Sequence, residues 1–69
     1  MKKQNGFVSN ILENGDLQIS LSSDSFIIGR VDKLNGKVPS LQEIKKLSDK
    51  KIEFKVTKSL AAHTVLIEI

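Results

Sequence analysis

The sequence predicts a small all-β barrel interrupted by a single short helix. Three observations carry that expectation: strict apolar–polar alternation in several short runs, two Asn-Gly turn signals, and one helix-start signature. The 69 residues are expected to form one domain, with residues 1–5 as a flexible basic tail. A chain this short lies near the lower limit for a single self-sufficient core.

Residues 7–13 form the first expected strand, and Asn14-Gly15 supplies the positive-φ turn of a two-residue hairpin. The second strand, DLQISL, alternates, with Leu17, Ile19 and Leu21 on one face and Gln18 and Ser20 on the other. SSDS is a turn by composition, and FIIGRV follows as a third strand in which Gly29 marks a bulge or bend. KLNGKVP holds the second Asn-Gly and is expected to turn. Ser40 and Glu43 have the spacing of a capping box, which predicts a helix of about two to three turns with Leu41, Ile44 and Leu47 as its apolar stripe. KIEFKVTK, residues 51–58, alternates as the fourth strand, with Ile52, Phe54 and Val56 inward. SLAAH reads as a loop or one helical turn, and TVLIEI closes the chain with Val65, Ile67 and Ile69 on one face.

The resulting order, β-β-β-α-β-β, is that of the OB-fold, a partly open five-stranded barrel. An SH3-like barrel is the main alternative, with residues 40–47 as a shorter turn, and an open α+β sheet comes third. Closure suits a small chain because it removes most exposed sheet edges.

Composition limits the chemistry. Without cysteine there is no disulfide framework and no thiolate zinc site, and His63 is the only histidine, so neither a metal nor another cofactor is expected. No Cys or second His accompanies His63 as a catalytic pair, and no nucleophile elbow or phosphate loop is present. An enzyme is therefore not expected. No apolar run approaches the roughly 20 residues of a membrane span, and the start MKKQNG is not followed by a continuous apolar region. A soluble cytoplasmic protein is the expectation.

The formal net charge is +3, and residues 30–58 hold nine of the eleven basic residues against four acids. That asymmetry favours an anionic partner, RNA or single-stranded DNA, through counterion release. Arg30, Lys33 and Lys37 cluster at the end of the third strand and its turn, and Lys55 and Lys58 lie on the outward face of the fourth. Arg30 is the first candidate for a phosphate or base contact, against the alternative that it pairs with Asp32 or Asp16. Among the three phenylalanines, Phe54 and Phe26 are expected in the core, and Phe7 is the candidate stacking ring. Lys45, Lys46, Lys50 and Lys51 read as a solvated helix face and terminus.

At this level the chain resembles the S-one-type RNA-binding domain, an OB-type module first named for a ribosomal protein. Gly6, Val8, Ile11 and Gly15 match the first hairpin of that family. Val31 and Leu34 of RVDKL fit its third strand, with Arg30 in the place of a histidine, and KKIEFKVTK and TVLIEI resemble its last two strands. The chain resembles bacterial translation initiation factor one, of similar size, equally distantly. The resemblance implies RNA binding, with His63 standing loosely for a basic residue of the last hairpin. It departs in the second strand, where Asp16, Leu17 and Gln18 replace the family's aromatic residues. That departure keeps a second function open: a protein-interaction module on the same barrel surface, such as an accessory subunit or an inhibitor of the phage or mobile-element type. A homodimer made by pairing an exposed third or fifth strand belongs to this second reading.

Overall fold

The computed structural model describes residues 3–69. The strands are β1 (Gln4–Ile11), β2 (Leu17–Ser22), β3 (Ser25–Lys33), β4 (Lys51–Ala61) and β5 (Thr64–Glu68), with helix α1 (Leu41–Lys45) between β3 and β4. They close into a barrel in the order β1-β2-β3-β5-β4. All pairings are antiparallel except β3 with β5, a parallel pair made possible by the long crossover through α1 and β4. This is the expected OB-like architecture. A helix rather than a turn follows Ser40, which sets aside the SH3-like alternative.

The alternating residues of four strands meet in one core of Val8, Leu17, Ile19, Ile52, Phe54 and Ile67. Phe54 is fully buried, as expected. Gly29 is not a bulge: it stays in register between Leu17 and Val65. It is small because a Cβ there would stand 2.9 Å from both Ile19 Cδ1 and Ile67 Cδ1. The irregularities fall elsewhere, among them Val8/Asn10 in β1 and Ser20/Ser22 in β2. The second of these turns Leu21 out of the inward set, leaving it 38% exposed.

Several local expectations need correction. Strand β1 opens at Gln4 and pairs Gln4–Phe7 with β4, so Gln4 and Asn5 belong to the closing seam and not to a tail. Met1 and Lys2 of that tail lie outside the described residues. The first hairpin has a three-residue loop, Glu13–Gly15, in which Gly15 N–H donates to Leu12 C=O and Leu12 N–H to Asp16 C=O. Only Gly15 is left-handed there, at φ +90°. The second Asn-Gly does make the two-residue form: Asn35 and Gly36 are both left-handed, and Leu34 bridges to Lys37.

The capping box forms: Glu43 N–H donates to Ser40 Oγ, and Ser40 N–H donates to the Glu43 side chain. Yet α1 is barely more than one turn long. The chain beyond it is taken up by β1, since Asp49 N–H donates to Val8 C=O and Val8 N–H to Lys50 C=O. Ile44 and Leu47 pack against the core, whereas Leu41 remains half exposed. SLAAH is neither loop nor helix through most of its length. Strand β4 continues to Ala61, paired with β5, before a turn at Ala62 and His63.

Candidate nucleic-acid interface

Phe26 is not in the core. Ile27 and Val31 pack inward and Gly29 is buried, so Phe26, Ile28 and Arg30 face outward by the period of the strand. Phe26 is 51% exposed and Phe7 39%. The register puts them in one row across three strands, with Phe7 opposite Ser20 and Ser20 opposite Phe26. Two strand spacings separate the phenylalanine backbones by about 10 Å, and the residue between them is small. On the far side of Phe7, the row continues to Lys51 of β4. Ser20 Oγ donates to Ser9 Oγ and Ser9 Oγ to Gln18 C=O, so the hydroxyl between the rings is tied to the sheet through Ser9.

Further along β3, at steps of roughly 6.6 Å, come Ile28 and then Arg30. Arg30 donates from Nε to Asp16 Oδ1 at 3.2 Å and from Nη2 to Asp16 Oδ2 at 3.4 Å. Asp16 is nearly buried, and Asn14 Nδ2 also donates to it at 3.2 Å. The carboxylate thus has the partners that a buried charge requires. Asp16, rather than Asp32, is the ion-pair partner of Arg30. The pair offsets part of the Arg30 charge, but it also holds the guanidinium in one orientation with its side chain 55% exposed.

The remaining sequence candidates divide into groups. Lys58 is exposed and opposite Leu66, which is itself opposite Arg30, so Arg30 and Lys58 flank one apolar side chain on the outer face. Lys33 and Lys55 flank Glu68 in the same manner, and Lys55 Nζ lies 3.7 Å from its carboxylate. That acid weakens the positive field of both lysines. Lys37 sits apart on the Asn35-Gly36 turn, exposed. His63 is left-handed at φ +62° in the β4–β5 turn, and its C=O accepts from Ile28 N–H. Beside it, Asp24, Ser25, Phe26 and Ile27 complete the lining of an open pocket of about 420 Å³.

Phe26, which the sequence predicts to be in the core, instead lies across Ser20 from Phe7, lines one pocket with His63 and shares the outer face of β3 with Arg30; Lys58 lies beyond Arg30, across Leu66. The signal for Phe26 was present: once Arg30 is placed outward, a residue four positions earlier on an unbroken strand shares its face. Lys51 opens β4 beside Phe7, as the first residue of the expected fourth strand, and is not part of a helix terminus with Lys50.

Among the described residues no group of three or more His, Cys, Asp or Glu side chains is placed to hold a metal ion, and no helix is long and apolar enough to cross a membrane. Comparison with known proteins finds no family model, no curated protein and no solved structure that matches this chain.

Proposed function

We propose that this chain is a small cytoplasmic, non-enzymatic OB-type module that binds single-stranded RNA or DNA on the outer face of β1, β2 and β3. The observation that carries this reading is the pair of exposed rings, Phe7 and Phe26, in register across Ser20. The aromatic platform missing from the second strand is supplied by its two neighbours. Bases stacked on such rings contribute about 1–3 kcal/mol each. Lys51, Arg30 and Lys58 on the same outer surface would track the phosphates. Two stacked bases and a few phosphate contacts correspond to micromolar affinity, about −8 kcal/mol.

Fluorescence anisotropy with labelled eight-nucleotide RNA and DNA, repeated across a salt series, tests the reading. Micromolar binding is expected, with log K falling against log salt at a slope of about −2, as about three neutralised phosphates on a single strand require. An absence of binding at low salt would refute it.

That negative result would favour the second reading, a protein partner on the same surface. Its support is the exposure of Leu21 and Leu60 in addition to the two rings. A dimer through β3 or β5 edges has little to build on, since β3 lies between β2 and β5, and β5 between β3 and β4.

A further inference from the structure

At the start of β3 the β2–β3 and β4–β5 turns stand side by side around the pocket lined by Asp24, Ser25, Phe26, Ile27 and His63. Three features set its chemistry. Asp24 is exposed and makes no side-chain hydrogen bond or ion pair among the described residues. The backbone of Phe26 has an open edge, because the ladder to β5 begins only at Ile28, whose N–H donates to His63 C=O. Amides two residues apart on a strand point to the same side, so Phe26 offers one N–H and one C=O with no strand opposite. Finally, Phe26 and His63 are both exposed planar side chains.

A carboxylate repels phosphate, so this pocket is an unsuitable phosphate site even on a basic protein. It suits a flat group that donates hydrogen bonds. Among the bases, guanine alone presents two adjacent donors, N1–H and N2–H₂, on its Watson–Crick edge. An ionised carboxylate accepts such a parallel pair bidentately, as it accepts the fork of an arginine. Adenine and cytosine set an amino group beside a ring acceptor, and uracil sets its N–H between two carbonyls. Each would leave one Asp24 oxygen facing an acceptor.

We propose that this pocket is a guanine-selecting subsite, with Asp24 accepting from the base edge and Phe26 and His63 contacting its face. The proposal rests on the single-strand-binding reading and adds a base preference to it. The test compares octauridylate with octamers carrying one guanosine, adenosine or inosine, on the wild type and on Asp24→Asn. Asparagine suits the same exposed turn, and circular dichroism checks the fold of the variant.

The wild type is expected to bind the guanosine octamer about tenfold more tightly than the adenosine or inosine octamers. Inosine lacks the 2-amino group, and Asp24→Asn should erase the difference without weakening octauridylate binding. In parallel, guanosine 5′-monophosphate titrated into ¹⁵N-labelled protein should shift the amides of Asp24, Phe26 and His63, whereas the adenosine analogue should not. Equal affinity for all octamers, or a guanosine preference that survives Asp24→Asn, overturns the subsite and leaves single-strand binding standing. If no octamer binds but the guanosine nucleotide shifts those amides, the subsite stands and the polymer reading falls. If the nucleotide shifts none of them, the subsite falls.

Discussion

Replacing Phe26 by alanine separates the binding role of this ring from its structural role. The side chain is 51% exposed, so about half of its surface still counts toward folding. Full burial of a phenylalanine is worth about 1.5–3 kcal/mol, which leaves a stability loss of about 1 kcal/mol here. The variant should therefore fold, unlike Phe54→Ala, which removes a fully buried ring at a cost of about 3–5 kcal/mol. Its effect on binding is larger: one lost stacking contact raises Kd by roughly 5- to 150-fold. The ring carries no charge, so the salt slope should not change. Phe7 lies about 10 Å away, far enough for the two losses to add, and the double variant should lose about 2–6 kcal/mol. Anisotropy at fixed salt, with thermal unfolding on the same samples, measures both quantities. Wild-type affinity in a folded Phe26→Ala protein would refute the stacking argument.

Charge, pairing and packing each give a further test. Lys58→Ala should reduce the salt slope by about 0.7, as the loss of one phosphate contact does on a single strand; Lys55→Ala should change it less, because Glu68 already lies 3.7 Å from that lysine, and equal effects would contradict the assignment. Arg30→Ala weakens binding and also destabilises the fold by about 1–3 kcal/mol, since Asp16 is left nearly buried with only the Asn14 side chain as partner; urea unfolding checks this, and an unchanged midpoint would show that the pair is inert. Gly29→Ala forces a methyl group between Ile19 and Ile67 and should cost about 1–3 kcal/mol in the same assay; a neutral or stabilised variant would mean that the core has room there.

The order of the elements was legible because it rests on period-two alternation and on the Ser40–Glu43 spacing, which are local properties. What could not be read depended on distant partners. The helix stops early because Val8, more than thirty residues back in the chain, takes the hydrogen bonds of Asp49 and Lys50. Ser59, Leu60 and Ala61 have no strong strand signature and become strand because β5 lies beside them. The two Asn-Gly pairs look alike in sequence but close loops of different length: Leu12 and Asp16 bound three residues, whereas Leu34 and Lys37 bound two. Phe26 is a different kind of miss. Its hydrophobicity alone favours burial, but its parity with Arg30 along β3 puts it on the surface.

The proposed binding face runs from Lys51 and Phe7 across Ser20 to Phe26 and along β3 to Arg30, with Lys58 of β4 beyond Leu66. The most direct test is a ¹H–¹⁵N chemical-shift map of the protein titrated with an eight-nucleotide single strand at low salt. Shifts are expected to concentrate at Phe7, Ser20, Phe26, Arg30 and Lys58, with little change along α1. Shifts confined to Lys45 and Lys46 on α1, or no shifts at all, would contradict this expectation.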